Sequence, residues 1–265
     1  MSEWLCRKKR GREMRRLTCG PWLLVFTLLL AGCATGLSQQ DGQGAAAKYV
    51  ERGKENLARE RYDKAMSSFE QAIKADPSST EGYYGRAVVH SARGDYDRSL
   101  ADMTQVLRLN PQDGRAYAAR GSLYLHQEQY QLAVVDLTDA IRVGSTEPLV
   151  FAERGEALRN LGQLDRSLDD YNRAITMEPQ LAVAYCGRGI TYGKMGQYDA
   201  AIADLTRAIE LNADYDEAFY NRAVCFYLKK DYRRAWKDLS KAEELGRAPS
   251  PGFVEELRRV SGRFQ

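Results

Sequence analysis

Six arginines recur along the chain at a constant interval, and they form the most regular series of chemically active side chains. They are Arg52, Arg86, Arg120, Arg154, Arg188 and Arg222. Sixteen residues after every arginine but the first stands an aspartate, and these are Asp102, Asp136, Asp170, Asp204 and Asp238. A guanidinium and a carboxylate can form two parallel hydrogen bonds, and a partly buried charge without a partner loses its hydration at a high cost. We therefore expect a structural ladder of ion pairs that fixes how neighbouring units stack. An anion-binding stripe is the alternative.

The other residue types offer little for catalysis. The two histidines, His90 and His126, have no neighbouring Cys, His or carboxylate cluster at the spacing of a metal site. The sequence also shows no glycine-rich phosphate loop and no nucleophile elbow. Cys186 and Cys225 stand at different positions of neighbouring units, so we expect no disulfide between them. The sequence thus predicts a protein that is not an enzyme and that binds neither a cofactor nor a metal.

The arginines belong to a repeat that fills residues 46–249 without insertion or deletion. Six units of equal length begin at 46, 80, 114, 148, 182 and 216, and positions below are counted within each unit. Position 4 is aromatic, position 24 is large and apolar, and positions 8, 20 and 27 carry small residues apart from one valine. Spacings of three and four residues indicate helices, and small residues opposite large ones let two antiparallel helices pack closely.

This pattern resembles the tetratricopeptide repeat (TPR). The resemblance implies an all-α fold, a right-handed superhelical solenoid of six helix-turn-helix repeats. After the last repeat, residues 251–262 have apolar side chains on one face and charged side chains on the other. A solenoid needs a terminal element with one wet face, so we interpret residues 250–265 as a capping helix and tail. A separate peptide-binding element is the alternative.

The segment 1–32 has the composition of a signal peptide. Seven basic side chains between residues 7 and 16 precede an apolar run, Trp22–Ala31, which is about half as long as a bilayer span requires. The residues that follow favour a lipoprotein signal. A plain secretory signal and an uncleaved anchor are the alternatives. Met14 offers a second start, which would shorten the segment.

The apolar run ends in Leu-Ala-Gly-Cys, with the cysteine at Cys33. These residues resemble the bacterial lipobox, which implies a Cys33 that is acylated and becomes the mature N-terminus. Residues 33–45 are then the lipidated cysteine and a flexible, glycine-containing tether to a membrane. Ala34, in place of aspartate, resembles the signal for delivery to the outer membrane.

Loss of residues 1–32 also changes the charge of the chain. This segment carries seven Lys or Arg and two Asp or Glu, so its removal lowers the formal net charge from +3 to −2. A nucleic-acid-binding protein would show a basic face, so we expect no nucleic-acid partner.

The family resemblance also implies where a partner binds, namely along a concave groove lined by the first helix of each repeat. The lysine and asparagine that clamp a chaperone C-terminus in some relatives are absent at positions 5 and 9. Aromatic and charged side chains at groove positions suit a protein or peptide ligand. The alternative is that some of them pack between adjacent helices. The candidate groove residues are Tyr84, Glu156, Arg159, Ile190, Tyr220, Val224 and Tyr227.

Together these features resemble a bacterial TPR lipoprotein. We expect a non-enzymatic scaffold for protein–protein interaction, anchored through Cys33 and facing the periplasm, with the outer membrane as the favoured site. An assembly factor for a pilus or secretion complex is the first interpretation of its role. An adaptor that docks cell-wall enzymes or proteases is the second, and a soluble cytoplasmic TPR scaffold is the third.

Overall fold

The computed structural model describes residues 41–262, and within that range it contains thirteen helices and no strand. The first two helices form the first repeat, each later pair forms the next repeat, and the last helix stands alone. Each second helix also contacts the first helix of the following repeat. The predicted all-α solenoid is confirmed. The helices are α1 (41–58), α2 (Tyr62–Ala75), α3 (Thr80–Ala92), α4 (Tyr96–Leu109), α5 (Gly114–His126), α6 (Tyr130–Arg142), α7 (Pro148–Asn160), α8 (Leu164–Met177), α9 (Ala182–Lys194), α10 (Tyr198–Leu211), α11 (Asp216–Leu228), α12 (Tyr232–Glu244) and α13 (Pro251–Ser261).

The turn between the two helices of a repeat requires a positive φ at position 15. Glycine satisfies this requirement without strain, because it has no Cβ to clash with the backbone. Three repeats have glycine there, with φ between 75° and 77°: Gly94, Gly162 and Gly196. The other three repeats adopt the same conformation with φ between 55° and 62°, at Glu60, Glu128 and Lys230.

Two aromatic residues at position 24 require glycine in the next repeat. Phe69 and Tyr171 are fully or almost fully buried, whereas most repeats have Leu or Met at this position. A Cβ on Gly85 would lie 2.2 Å from the Phe69 ring, and a Cβ on Gly187 would lie 2.3 Å from the Tyr171 ring. Position 6 is glycine only in these two repeats. The larger ring at position 24 therefore occupies the space that a side chain at position 6 of the next repeat would fill, so the two helices can keep the same spacing.

The structure brings together all five arginine–aspartate pairs. In each pair the arginine Nε and Nη2 atoms donate to the two carboxylate oxygens at 2.6–2.9 Å. The five aspartates are only 3–8 % exposed. Each pair joins the first and second helices of the same repeat. Arg52, whose repeat has Ser68 in place of aspartate, is exposed.

The same guanidiniums also reach the preceding repeat. From Arg120 onward, the Nη1 atom donates to the side chain at position 25 of the repeat before, at 2.7–3.2 Å; the acceptors are Thr104, Thr138, Asn172 and Thr206. The aromatic ring at position 4 lies 5.6–5.9 Å from the guanidinium carbon of every paired arginine. One side chain therefore ties three helices together. The polar residue at position 25 recurs visibly in the sequence, but its role emerges only when the repeats are stacked.

The last helix occupies the place of the first helix of a seventh repeat. Counted from residue 250, Phe253 falls at position 4 and Leu257 at position 8. Leu257 is fully buried, although position 8 is small in every full repeat. In full repeats the residue at position 8 packs against the large side chain at position 24, as Gly121 does against Leu137. Within residues 41–262 no second helix packs on α13, and a larger residue fits. Glu256 stands at position 7, where the full repeats have arginine, and accepts hydrogen bonds from Arg259. The predicted capping helix is confirmed.

The N-terminal boundary differs from the sequence expectation. Residues 41–45, assigned to the flexible tether, are helical and continue α1. The run Ala45–Ala47 has a strong helical propensity, and no preceding repeat imposes a turn at this point. A Cβ on Gly42 would lie 2.7 Å from the Ala75 carbonyl oxygen, so this extension runs close to the end of α2. Cys33 and the predicted signal peptide lie outside the described residues.

We expect Asp170→Asn to destabilise the solenoid by about 2–4 kcal/mol, because it leaves Arg154 without a negative partner in a mostly buried site. Arg154 is 18 % exposed and Asp170 is 8 % exposed at the side chain. The matched control is Asp63→Asn, which breaks an ion pair with Arg93 at a carboxylate that is 99 % exposed. The control should cost less than about 0.5 kcal/mol. Urea and thermal unfolding measure both, and equal midpoints for the two variants would contradict a structural role for the ladder.

Candidate functional site

Three adjoining cavities lie along the face formed by the first helices of repeats 2–6, which we call the groove. The first, of about 500 Å³, includes Val88 and His126. The second, of about 270 Å³, shares Ser122 with the first. The third, of about 200 Å³, shares Leu149 and Glu153 with the second and reaches α11. Because neighbouring cavities share lining residues, they form one trough that runs across five repeats.

The third cavity, which we call the central pocket, contains three of the predicted groove residues. Glu156 and Arg159 lie one helical turn apart on α7, and Ile190 faces them from α9. Leu149 and Val183 stand at its rim with 48 % and 39 % of their surface exposed. An apolar rim thus surrounds a charged interior.

Two carboxylates in the groove are partly removed from water. Glu153 accepts a hydrogen bond from the Ser122 hydroxyl at 2.6 Å. Burial raises the pKa of Glu153, and the neighbouring charges of Glu156 and Glu147 raise it further, against the effect of that hydrogen bond. Burial also raises the pKa of Glu156, with a contribution from Glu217, although Arg159 opposes the shift. Both carboxylates therefore lack full compensation for their lost hydration.

Arg159 is the most buried cation of the groove. It is 9 % exposed, and its Nε atom has no hydrogen-bond partner among the described residues. Its nearest carboxylate contact joins Nη2 to Glu156 Oε1 at 3.7 Å, which is too long for a hydrogen bond. Burial and the charge of Arg159 together lower the pKa of Lys194 on α9. An arginine donor is thus buried at the pocket without a full set of acceptors.

Tyr84, on α3, lines the second cavity and not the central pocket. The Arg115 guanidinium carbon is 5.1 Å from the centre of its ring. Arg115 in turn donates to Glu81 at 2.6 Å and to Asp113 at 3.0 Å. Burial raises the pKa of the Tyr84 hydroxyl. The Tyr84 ring therefore lies against a cation that two carboxylates already neutralise.

Three family models of this repeat match the sequence. A model described as TPR repeat matches residues 155–196. One model described as tetratricopeptide repeat matches residues 182–215, and a second with the same description matches two overlapping ranges, 50–98 and 84–148. Together the matched residues make up more than half of the chain. The chain belongs to the tetratricopeptide repeat family.

Solved TPR structures share this fold. YrrB, described as a TPR protein with an unusual peptide-binding site, is 24 % identical over 72 % of this chain and 97 % of its own, with a TM-score of 0.58. PilF of Pseudomonas aeruginosa is 15 % identical over 84 % of this chain and 100 % of its own, with a TM-score of 0.69. A TPR protein from Parabacteroides merdae is 22 % identical, covers 82 % and 84 % of the two chains, and has a TM-score of 0.60. No curated protein matches the sequence.

The C-terminal end of the TPR groove differs from the sequence expectation. Tyr220 and Tyr227 both pack edge-on against Phe253 of the capping helix, at 5.9 and 5.5 Å between ring centres. The Tyr227 hydroxyl also donates to Glu256 at 3.2 Å. Val224, on the same helix, is half-buried. These aromatic residues follow the groove pattern by position, and at the end of the array one side of each ring packs against the cap while both side chains stay half-buried.

The most exposed apolar residues of the TPR groove were missed. Leu149 and Val183 both stand at position 2, where two other repeats have Glu81 and Glu217. Position 2 lies on the groove face of the first helix, so the place of these residues in the repeat indicates the groove. Their residue type does not, because an exposed aliphatic side chain has the same chemistry as a core side chain.

The described residues include no candidate metal site, and their two thiols are buried. No group of three or more His, Cys, Asp or Glu in residues 41–262 could hold a metal ion. Cys186 and Cys225 are buried free thiols, and burial raises their pKa values to about 12 and about 11, so they are poor nucleophiles at neutral pH. None of the described helices has the length and apolar character needed to cross a membrane.

We expect Glu153→Gln to raise the melting temperature by about 2–4 °C at pH 7. A folded-state pKa above the ordinary value of about 4.3 means that the folded chain binds more protons than the unfolded chain between the two values. Stability then falls as pH rises through that window. Glutamine removes the charge and keeps an acceptor for Ser122, so its advantage should disappear below about pH 4, where glutamate is protonated in both states.

Glu178→Gln is the control for this experiment, because Glu178 is an exposed carboxylate outside the groove. Thermal melts of the three proteins at both pH values measure the effect. A lower melting temperature for Glu153→Gln at pH 7 would show that the carboxylate stabilises the fold.

Proposed function

We propose that the chain is a membrane-anchored, non-enzymatic scaffold that holds a protein partner in its groove. The TPR fold supports protein interaction, and the trough across repeats 2–6 is the observation that carries the proposal. Its apolar rim at Leu149 and Val183 offers contact area for an extended segment. Its interior contains polar groups that the fold leaves incompletely paired, which a bound peptide can satisfy.

The anchor in this proposal is Cys33. The support is the sequence Leu-Ala-Gly-Cys after an apolar run and a basic segment. Two acyl chains hold a protein on a membrane where a single chain binds reversibly. Because α1 already includes residue 41, the tether would be shorter than residues 33–45. A scaffold on this tether would face the periplasm close to the outer membrane.

Assembly of a pilus or secretion complex is our preferred role for such a scaffold. The likeness in fold to PilF is in line with this choice, and the groove is lined by residues of repeats 2–6, which suits an extended segment of a subunit. Docking of cell-wall enzymes or proteases is the second role. The identity of the captured partner in the following experiment decides between them.

We expect a photo-reactive residue at Leu149 to crosslink a protein partner in envelope preparations, because this side chain is exposed at the groove rim. Leu132 on α6 is the matched control, since it is equally exposed at 46 % but lies on a second helix outside the groove. Mass spectrometry of the Leu149-specific product identifies the partner. Identical products from both positions would contradict partner binding in the groove.

We expect a palmitate analogue supplied to living cells to label the chain, and Cys33→Ser to abolish the label. The variant should move from the membrane to the soluble fraction, because it loses its acyl chains. Fractionation and fluorescence of the labelled chain measure both effects. The proposed anchor fails if wild type carries no label, or if Cys33→Ser keeps it.

A further inference from the structure

The groove carries more negative than positive charge between α5 and α11. Four carboxylates line the second cavity and the central pocket, and they are Glu147, Glu153, Glu156 and Glu217. The two arginines of the same cavities are not equivalent. Arg115 is held by two carboxylates, Glu81 and Asp113, so Arg159 is the one lining arginine left to oppose the four groove carboxylates, and Lys194 lies near it on α9.

The carboxylates lie where a ligand cation would be well placed. Glu153 and Glu156 lie one helical turn apart on α7, so their side chains share a face of the helix. Glu153 has a neutral hydroxyl as its hydrogen-bond donor, and Glu156 has only the 3.7 Å contact with Arg159. A bound ammonium or guanidinium would supply charge-assisted hydrogen bonds that neither carboxylate has in the described structure.

Arg159 supplies an independent indication of a ligand. Its side chain is nine-tenths buried in the lining of the central pocket, and its Nε–H has no acceptor among residues 41–262. A buried donor without an acceptor costs the free energy of its lost hydration. The backbone carbonyl of an extended peptide is an acceptor without charge, so it can accept from the Arg159 guanidinium at the pocket wall without repulsion from the glutamates. A ligand carboxylate would be repelled by them.

We infer that the groove binds an extended basic segment of the partner protein. A lysine or arginine of this segment lies between Glu153 and Glu156, one of its backbone carbonyls accepts from the Arg159 guanidinium, and its apolar side chains contact Leu149 and Val183. The inference rests on the proposed function, since it names the chemistry of the partner that the scaffold holds. Phosphate-rich and acidic partners are disfavoured by the same four carboxylates.

The test is a selection of random twelve-residue peptides displayed on phage against the full chain. We expect enriched peptides to share a Lys or Arg flanked by apolar residues. A synthetic peptide from this set should bind the double variant Glu153→Gln, Glu156→Gln at least tenfold more weakly in fluorescence anisotropy. The control variant, Glu178→Gln with Glu243→Gln, removes the same charge from exposed sites outside the groove and should bind as wild type does.

A second variant separates this inference from the proposed function. Leu149→Ser with Val183→Ser removes the apolar rim at two exposed positions, so it should weaken all groove peptides while the fold stays intact by circular dichroism. Enriched peptides without a basic residue, or unchanged binding to the glutamine double variant, would overturn the basic segment alone. Absence of enrichment, or binding that ignores loss of the rim, would overturn groove binding itself.

Discussion

The two-pronged contact between the arginine at position 7 and the aspartate at position 23 sets the geometry of the solenoid. It joins the two helices of a repeat, and in four repeats the remaining guanidinium nitrogen joins them to the repeat before. A planar guanidinium with fixed donor directions restricts rotation of the helices in a way that apolar packing does not. The aspartates are almost fully buried, so each contact is only weakly screened by water. The stacking register is thereby repeated from one unit to the next.

The apolar residues set the distance between the helices, and the ion pairs set the orientation of one helix relative to the next. Different positions of the repeat do these two things. Where position 24 has an aromatic residue, as at Tyr171, the next repeat has a glycine, Gly187, at the position that faces the ring. The helices therefore need not move apart. The cap follows the same logic in reverse. Leu257 is fully buried at position 8, and Glu256 stands where the full repeats have arginine. With the scaffold held in this way, the groove side chains are free to vary.

The charged groups of the groove are less completely paired than those of the arginine–aspartate ladder. In the ladder every buried charge has a close partner, whereas in the central pocket Glu153, Glu156 and Arg159 are only partly compensated. Such groups reduce the stability of the unbound fold, which is the usual cost of a binding surface. The repeat pattern predicted Glu156, Arg159 and Ile190 for the groove, and the structure places all three in one pocket. The pattern also predicted Tyr220 and Tyr227, which lie outside that pocket and pack against Phe253 of the capping helix, a contact that a positional rule does not include.

The sequence by itself determined the class of fold, the number of repeats and the pairing of arginine with aspartate. These features depend on spacing along the chain, and a period that stays constant through six units leaves one way to stack the helices. Only the tertiary structure decided which side chains meet across repeats. The contact of four guanidiniums with the preceding repeat, the burial of Arg159 without an acceptor and the exposure of Leu149 all depend on how neighbouring repeats approach. That distance is a property of the stacked array, and no single repeat contains it.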